Sequence, residues 1–339
     1  MIARPDHLTV RPNLETIVTM DPLSEVLRAV RLTGGVFLSA HFTAPWCISV
    51  AITTEDCARY LPTRPLQMIG YHVVTEGKLL VGLENAPTIE VSAGEIVLFP
   101  QNDAHTLADN AGIKPVSARH LIRRSPDGGL ARIDHGGGGA ATRIVCGFLA
   151  TEENYNPLMS TLPKVLKIDV RQAASREWIE ASVRFAAGEL TNGRLGSSNV
   201  MTRLSESLLT EAVRQYSSSL PADELGWLKG LNDSHVARAL ALIHHKLGER
   251  WSAEALASEV ALSRSAFVER FTSLVGMPPI RYLTVMRLQA ARLALRETSK
   301  TIAQVAYSVG YESGEAFSRA FKREFGLSPA LWREKQLTG

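Results

Sequence analysis

Two stretches in the C-terminal third of the chain carry polar and basic side chains at a spacing that suits contact with DNA. Phe267 and Phe271 lie four residues apart in the first stretch, as do Phe317 and Phe321 in the second, which marks one apolar helix face in each. Because the major groove of DNA admits an α-helix, a polar opposite face predicts a DNA-reading helix. The polar faces carry Arg264, Ser265, Glu269 and Thr272 in the first stretch and Glu315, Ser318, Arg319 and Lys322 in the second.

The two stretches belong to one repeated unit of sequence. Each copy predicts a short helix, a tight turn and a second helix, whose free amides can be capped by a serine. For one copy alone, an amphipathic helix with a solvated face is an equally good interpretation, and the second copy argues against it. The aligned pairs are Ser263 with Ser313, Phe267 with Phe317, Phe271 with Phe321, Gly276 with Gly326 and Pro279 with Pro329.

Residues from about 232 to 335 resemble the DNA-binding domain of the AraC/XylS family of bacterial transcription regulators. The resemblance implies seven helices that form two helix-turn-helix units, with a long helix from about Ile280 to Glu297 between them. The matching positions are Ala257, Ser263, Phe267, Phe271, Gly276, Arg287, Leu288, Ile302, Val305, Ala306, Gly310, Tyr311, Phe317, Phe321, Lys322, Gly326, Leu327, Ser328 and Pro329.

The same resemblance implies which side chains contact DNA. Many family members carry arginine where this chain has Glu269, and a carboxylate can accept from cytosine but repels phosphate. The bases that the first helix reads are therefore left open. The implied base-contacting positions are Ser265, Val268 and Glu269 in the first unit and Gly314, Glu315, Ser318 and Arg319 in the second, with base or phosphate contacts expected also from Arg264, Lys322 and Arg323.

Charge and cysteine content agree with a DNA-binding protein of the cytosol. From Leu231 onward there are fifteen Lys and Arg against ten Asp and Glu, whereas the chain as a whole carries only +3. The basic excess thus lies on the repeated units, as a phosphate-contacting surface requires. Cys47, Cys57 and Cys146 are odd in number and fit a reducing compartment. With neither a signal peptide nor a long apolar run, we expect a soluble, cytoplasmic protein without membrane contact.

The N-terminal half has a different period, with short apolar runs between turn residues. Such regularly spaced runs predict an all-β barrel or sandwich. A helix from Asp21 to Arg31 is expected before it, because Asp21 can cap and Pro22 suits a first turn. The predicted strands are Val36–Leu38, Cys47–Ile52, Gln67–Val74, Lys78–Leu83, Thr88–Val91 and Glu95–Pro100.

The run from Gly94 to Asp109 resembles the second cupin motif in its glycine-to-proline and proline-to-histidine spacings. Asn102 stands where the motif usually has glycine, and Asp109 where it has asparagine. The stretch Tyr71–Gly77 occupies the place of the first motif but lacks its His-x-His pair and glutamate. The resemblance implies a cupin-like barrel over residues 35 to 150, similar to the sensor domain of one branch of the AraC family.

Within this barrel, His72 and His105 are candidates for binding either an effector or a metal. In one interpretation they line an effector pocket together with Trp46, or are satisfied core residues. In the other they bind a divalent metal such as zinc, which accepts mixed His and Cys ligands. No close-spaced ligand pair is present to decide between them. The candidate third metal ligands are Cys146, Cys47, His41 and His120.

Three further segments carry expectations about loops and linkers. Residues 125–142 are glycine-rich and predict a surface loop, since no lysine or helix start follows as in a phosphate loop. Helices are predicted over Arg176–Leu190 and Asn199–Tyr216, and the apolar stripe of the second one either forms a dimer or packs on its own barrel. Leu225–Leu228 is expected to be a hinge before a helix from Asp233 to Leu247, whose His244 and His245 would face solvent or phosphate.

Together these patterns predict a multidomain α+β protein. The predicted domains are a cupin-like effector-sensing barrel over 1–163, a helical linker and dimerisation region over 164–228, and an all-α domain with two helix-turn-helix units over 229–339. The predicted function is a ligand-responsive transcription regulator rather than an enzyme. Its expected partners are double-stranded DNA, a small-molecule effector, a second copy of the chain and RNA polymerase. One alternative is a cupin metal protein or enzyme with a helical DNA- or partner-binding tail, and another is a regulator whose barrel only dimerises.

Overall fold

The N-terminal half forms two facing β-sheets. The computed structural model describes residues 23–24, 27, 32–57, 65, 67–123, 131–151, 157–169, 177, 181, 185, 197–221 and 226–338. The strands in these residues are β1 Leu32–Thr43, β2 Cys47–Val50, β3 Gln67–Glu76, β4 Lys78–Leu83, β5 Ile89–Ser92, β6 Glu95–Phe99, β7 His105–Ala108, β8 Val116–Ser117, β9 Ala131–Gly136, β10 Ala141–Thr151 and β11 Leu166–Asp169.

One sheet has the order β11-β6-β3-β10-β1-β9, and the other has the order β5-β4-β7-β2-β8. The six strands predicted from short apolar runs are all present, so the predicted β-rich cupin region is confirmed. The prediction of a surface loop over 125–142 was wrong for Ala131–Gly136, which pairs in parallel with β1. Ala131 and Ile133 alternate into the core there, and residues 124–130 lie outside the described part. Strand β11 lies beyond the predicted boundary at residue 163, yet it pairs with β6.

The six-stranded sheet is covered on both faces. Successive side chains of β3 therefore point alternately into two different hydrophobic clusters, one on each face of the sheet. His72 and Val74 point to the interior between the sheets, whereas Tyr71 and Val73 point to the outer face. Gly147 on β10 lies under the ring of Tyr71, where an added Cβ would come within 2.1 Å of the ring. The glycine therefore allows Tyr71 to cross the neighbouring strand and reach the helix that covers this face.

Helices of the N-terminal half are short where they are described. They are α1 Thr54–Cys57, α2 Ala118–Leu121 and α3 Pro157–Thr161. Leu23, Ser24 and Leu27 of the predicted first helix are helical, as are residues 177, 181 and 185 of the predicted Arg176–Leu190 helix. The other positions of those two predictions lie outside the described residues.

A 23-residue helix, α4 Ser197–Ser219, joins the barrel to the C-terminal helices. Leu208, Leu209, Ala212 and Val213 of its apolar stripe are buried within the same chain, beside strands of the six-stranded sheet. The Tyr71 and Ser205 hydroxyls share a buried hydrogen bond of 2.7 Å at the same interface. For these four residues, the alternative in which the stripe packs on its own barrel describes α4.

Two residues of the expected hinge, Trp227 and Leu228, are packed in the structure, and Leu225 lies outside the described residues. Trp227 and Leu228 begin a short helix, α5 Trp227–Gly230, and both are buried. The indole N–H of Trp227 donates to the Tyr282 hydroxyl at 3.3 Å, and a nitrogen of His244 lies 2.8 Å from the same oxygen. The expectation that His244 faces solvent or phosphate was therefore wrong, because its ring belongs to this buried polar contact.

The predicted seven-helix domain with a long connecting helix is confirmed between Ser234 and Thr338, all of which is described. Asp233, Ser252, Ser263, Thr301 and Ser313 cap five of the helices through their side chains, as residues of these types are expected to do. The seven helices are α6 Ser234–His245, α7 Ala253–Glu259, α8 Arg264–Val275, α9 Pro279–Glu297, α10 Ile302–Ser308, α11 Gly314–Phe325 and α12 Pro329–Thr338.

Each helix-turn-helix unit has its own hydrophobic core, and the long helix α9 contributes to both. Phe267 and Phe271 of α8 pack with Tyr282 from the first half of α9, in a cluster that continues into α4 and the outer face of the barrel. Phe317 and Phe321 of α11 pack in a separate cluster with Leu288, Ala291 and Leu295 from the second half of α9. The two aligned phenylalanines of each sequence copy thus have the same role, which is to pack the second helix of the unit against α9.

The turns of the two units differ at one aligned position. Ala261 and Gly310 both have positive φ, of 55° and 86°. A Cβ on Gly310 would also lie 2.7 Å from the carbonyl oxygen of Gly248 and 2.6 Å from the Arg287 guanidinium. The second turn therefore needs glycine for two reasons, whereas the first turn tolerates alanine at the cost of left-handed backbone strain.

Gly310→Ala is expected to lower the free energy of unfolding by about 2 kcal/mol or more, from left-handed strain together with crowding against a backbone oxygen. Ala261→Gly is the matched control and is expected to be neutral or stabilising by about 1 kcal/mol, because it relieves strain of the same kind. Urea unfolding of both variants checks this. Equal destabilisation by the two substitutions would contradict the described turn geometry.

Candidate nucleic-acid interface and barrel cavity

Helices α8 and α11 each follow a tight turn and present one face to solvent. Ser263 and Ser313 cap them through bonds to Ala266 and Ala316, as the repeat predicted. The ten predicted DNA-contacting residues stay predictions, but every one of them is at least partly accessible in the structure. Arg264, Ser265, Glu269, Glu315, Arg319, Lys322 and Arg323 are exposed, and Val268, Gly314 and Ser318 are half-buried.

The two helices differ in how their positive charges are paired. On α8, Arg264 forms an ion pair with Glu254 at 2.5 Å, and Arg270 pairs with Asp233, the cap of α6. Partial burial opposes ionisation of Asp233, yet the bonds from Arg270 and two backbone amides hold its pKa below the usual value. Helix α8 therefore exposes Glu269 beside two arginines that already have carboxylate partners.

On α11, by contrast, Arg319, Lys322 and Arg323 have no carboxylate within 4 Å among the described residues. All three are exposed and lie within two turns of one helix. Because unpaired cations can replace the counterions of DNA phosphates without first breaking an ion pair, α11 is the better electrostatic contact surface of the two helices.

Two arginines that the DNA-contact prediction did not include hold the units together. Arg287 on α9 donates from Nε to the carbonyl of Leu247 at 2.9 Å and from Nη2 to that of Glu249. Arg333 on α12 binds the carbonyls of Leu295 at 3.0 Å and Lys300 at 2.7 Å in the same way. Arg287 thus connects α9 to the segment that follows α6, and Arg333 connects α12 to the C-terminal end of α9 and the segment that follows it.

Arg287→Lys keeps the positive charge but loses the planar fork that binds two carbonyls. We expect it to weaken binding to a DNA site by up to roughly tenfold, because the two reading helices lose their fixed orientation, and to leave the salt slope of affinity unchanged, because no phosphate contact is lost. The site would be selected from a random-sequence pool by the wild-type chain.

Arg250→Lys is the matched control for Arg287→Lys, because Arg250 lies nearby, is 84% exposed and, among the described residues, forms just an ion pair with Glu312. It should leave DNA affinity close to that of the wild type. A shallower salt slope for Arg287→Lys would show instead that Arg287 contacts phosphate, and would contradict the positioning role.

A cavity of about 310 Å³ lies between the two sheets of the barrel. Ligand pockets typically occupy roughly 300–1,000 Å³ and are mainly apolar with a few polar groups, and this cavity fits that description. The residues that line it are Leu38, Ala40, Phe42, Ile48, Ser49, Val50, Ala51, Ile52, Thr53, Asp56, His72, Leu107, Ser117, Ala118, Arg119, Ile122, Ile133, Ile144, Cys146 and Phe148.

One wall of the cavity holds a chain of hydrogen bonds whose tautomers can be deduced. The Nδ1 of His105 lies 2.9 Å from the carbonyl of Asp103, which can only accept, so His105 donates there and its Nε2 is an acceptor. His72 therefore donates from its Nε2 to His105 at 2.9 Å. That leaves the Nδ1 of His72 to accept from the Cys146 thiol, 2.9 Å away. Every member of the chain is neutral, and every proton has an acceptor.

The pKa shifts agree with this neutral chain. Burial lowers the pKa of His72 well below its ordinary value, with a further decrease from His105, and lowers that of His105 to about 4. Burial also raises the pKa of the Cys146 thiol. Transfer of the thiol proton to His72 is thus unfavourable, because burial makes the Cys146 thiol a weaker acid and the His72 imidazole a weaker base. The pair is not a thiolate–imidazolium nucleophile of the kind that enzymes use.

The structure separates the residues that were predicted to bind an effector. His72 lines the cavity, but His105 lies behind it and stacks on Phe99 with ring centroids 3.6 Å apart. Trp46 is also outside the lining, where it stacks on Phe42 at 4.1 Å. Of the three predicted residues, only His72 is placed to touch a ligand directly.

The predicted metal ligands do not converge on one point. Cys146 and His105 contact opposite ring nitrogens of His72, so one ion bound to His72 could not reach both. His41 is paired with Asp134 at the surface. No group of three His, Cys, Asp or Glu side chains with the geometry of a metal site occurs in the described part of the chain. The residues therefore do not fit the metal that a cupin barrel often holds.

The mouth of the cavity carries an ion pair that the sequence did not reveal. Arg119 on α2 donates to the carboxylate of Asp56 on α1 at 2.6 Å and to the Thr53 hydroxyl at 2.8 Å. Partial burial opposes ionisation of Asp56, but the bonds from Arg119 and Thr53 still hold its pKa below the usual value. Asp56 and Arg119 lie 63 positions apart in the sequence, so no periodic pattern could predict their contact.

The buried neutral histidines predict a pH dependence of stability. His105 and His244 have folded-state pKa values of about 4, against about 6.5 in an unfolded chain. Between these values the unfolded state binds more protons, so the free energy of unfolding decreases as the pH falls. The expected slope is at most about 1.4 kcal/mol per pH unit for each histidine.

Urea unfolding midpoints from about pH 7 to about pH 5 measure this effect. His105→Gln should reduce the pH dependence, and His120→Gln, which changes an exposed residue, should not alter it. A midpoint that stays constant over this pH range would contradict the assignment of neutral buried histidines.

Comparison with known proteins agrees with this architecture. A cupin family model matches residues 21–218, which is more than half of the chain, and a helix-turn-helix domain model matches residues 256–335. A Streptomyces lividans protein named as an AraC-like transcription regulator is 29% identical over 318 residues, covering 93% of this chain and 98% of its own length. The transcriptional regulator AlkR of Acinetobacter baylyi is 28% identical over 331 residues, covering 93% and 100%.

Among solved structures, the DNA-binding domain of AdpA in complex with a target DNA is 32% identical, with a TM-score of 0.30, and it covers 30% of this chain and 92% of its own. The two family models and the two relatives that span this chain identify it as a DNA-binding transcription regulator with a cupin domain and a helix-turn-helix domain. It belongs to the AraC family. Both of these relatives are transcription regulators, which agrees with the predicted class and not with the alternative of a cupin enzyme with a helical tail. None of the described helices is long and apolar enough to cross a membrane.

Proposed function

We propose that this regulator is controlled by a small molecule that binds in the barrel cavity. The observation that carries the proposal is the position of β3 and β10, whose inner residues line the cavity and whose outer residues pack against α4. His72 and Cys146 face inward, whereas Tyr71, which precedes His72 on β3 and points to the outer face, bonds Ser205 of α4. A ligand that displaces these strands would move α4.

Helix α4 can pass such a movement to the DNA-reading helices. Ser217 near its end donates to the carbonyl of Leu228, and Asn232 donates to Ser217 in turn. Trp227 contacts Tyr282 on the long helix α9. Effector binding would then bias the orientation of the two units, which is what allosteric control of DNA binding requires.

On DNA, α8 and α11 would enter successive segments of the major groove, about one helical turn apart. The ten predicted residues supply this contact, with the unpaired cations of α11 as its electrostatic centre. A homodimer would use a surface other than the buried stripe of α4. We also expect contact with RNA polymerase, through a surface that the described residues do not single out.

Arg319→Ala is expected to cost about 1–3 kcal/mol of binding free energy at the preferred site and to relax the base preference there, as loss of a guanine contact would do. Arg203→Ala is the matched control, since it removes an exposed arginine from α4. Binding of both variants to sites chosen by the wild type, and to single-base changes of them, measures the effect. An unchanged base preference would contradict a reading role for Arg319.

Control by the cavity can be tested without knowing the effector. Ala40 is buried and lines the cavity, so Ala40→Leu places a side chain where the ligand would bind. We expect DNA affinity to change about fivefold or more, the usual scale of allosteric coupling. Val116→Leu, a similar change at an exposed position, should have no effect. Wild-type affinity in both variants, with the fold intact, would contradict control through the cavity.

A further inference from the structure

The described residues that line the cavity carry no net charge, which restricts the ligand they can take. Most of the lining is aliphatic or aromatic, with Leu38, Phe42, Ile48, Leu107 and Ile144 from strands of both sheets. Removal of an apolar ligand surface from water into such a site is favourable in proportion to its area. The walls therefore suit a ligand that is mainly hydrocarbon.

Two charged side chains occur among the described lining residues, and they neutralise each other. The Asp56 carboxylate accepts from Arg119 at 2.6 Å and from the amide and hydroxyl of Thr53 at 2.9 and 2.8 Å. An anionic ligand would have to take Arg119 from this carboxylate, and a cationic ligand would have to take the carboxylate from Arg119. Either exchange breaks this pair to form another of the same kind, so a charged ligand gains little from it, since both side chains are partly exposed.

The inner polar wall has no free donor for an anion either. Both ring nitrogens of His72 and the thiol of Cys146 are used within the neutral hydrogen-bond chain. A charged ligand group against this wall would lose its hydration and gain no hydrogen bond that the wall does not already make.

Two hydroxyl groups are available instead. Ser49 and Ser117 both line the cavity, and they lie side by side because β2 and β8 pair in parallel with these residues in register. Ser117 precedes α2 but makes no capping bond with its side chain, and neither hydroxyl is bonded to a described residue. A hydroxyl can donate or accept, so this pair suits a neutral polar group.

We infer that the cavity takes an uncharged molecule with a mainly apolar body and one neutral polar group, such as a hydroxyl or a carbonyl. The inference rests on the cavity being the effector site proposed above. The apolar body would lie between the two sheets, and the polar group would bond Ser49 and Ser117. The Asp56–Arg119 pair would then exclude molecules of the same shape that carry a charge.

A series of ligands with one chain length and three charge states tests this inference. 1-Octanol, octanoate and octylammonium are titrated into the full chain near neutral pH at constant ionic strength, with Tm as the measurement, since a ligand of the native state raises Tm. We expect 1-octanol to raise Tm and each ion to bind at least roughly tenfold more weakly, because the ion would lose its hydration in a mainly apolar cavity. Ala40→Leu should abolish the response to 1-octanol, and Ser49→Ala with Ser117→Ala should weaken it.

The outcomes separate the inference from the proposed function. A larger shift with octanoate or octylammonium, lost in Ala40→Leu, would overturn the neutral class of ligand and leave the cavity as the effector site. A shift from 1-octanol that persists in Ala40→Leu would place binding elsewhere and overturn the inference. No shift from any of the three would overturn both the inference and the cavity as a ligand site.

Discussion

The organisation of this protein depends on the burial of one face of helix α4 between the barrel and the DNA-binding helices. Leu209 and Val213 are fully buried there, and they belong to one hydrophobic cluster that extends from β3 and β10 to Phe267 and Phe271. Burial of side chains of this size typically contributes about 1.5–3 kcal/mol each. Because densely packed side chains transmit displacement rather than absorb it, the barrel and the first reading helix are mechanically connected.

The two sides of β3 have different tasks. Its inward residue His72 belongs to a neutral chain that ends at the Asp103 carbonyl and forms one wall of an apolar cavity. Its outward residue Tyr71 lies over Gly147 of β10, and its hydroxyl hydrogen-bonds Ser205 of α4. Neighbouring residues of a strand point to opposite faces. A displacement of His72 on the cavity side of β3 would therefore act on Tyr71, the next residue, which contacts α4 on the other side. The second helix-turn-helix unit has its own core and is joined to this system through α9.

The sequence predicted the elements well because most of their signals are local. Serines at 263 and 313 do cap their helices, and Asn102, in the place of a cupin glycine, has a φ of 54°, which asparagine tolerates better than most residues. Contacts between distant positions left no such signal. The register that sets His72 opposite Cys146, and the pairing of Asp56 with Arg119, arise only in the folded sheets.

The expectation of a loop failed, and the packing partner of the α4 stripe was left open, for related reasons. Strand β9 was not predicted, because it has only six residues and is followed by glycines that are typical of a loop. The apolar stripe of α4 was recognised, but periodicity shows only that a face is buried and not against which partner. The structure supplied that partner as the outer face of the same barrel.

The measurement that tests the central claim most directly is hydrogen exchange of the full chain at increasing urea concentration, followed separately in β10 and α9. If α4 unites the barrel and the first reading unit in one packed core, amides of both elements become exchangeable in one cooperative step. Leu209→Ala should lower the midpoint of that shared step in both elements. Exchange of β10 and α9 at clearly different urea concentrations, with Leu209→Ala affecting only one of them, would contradict the account.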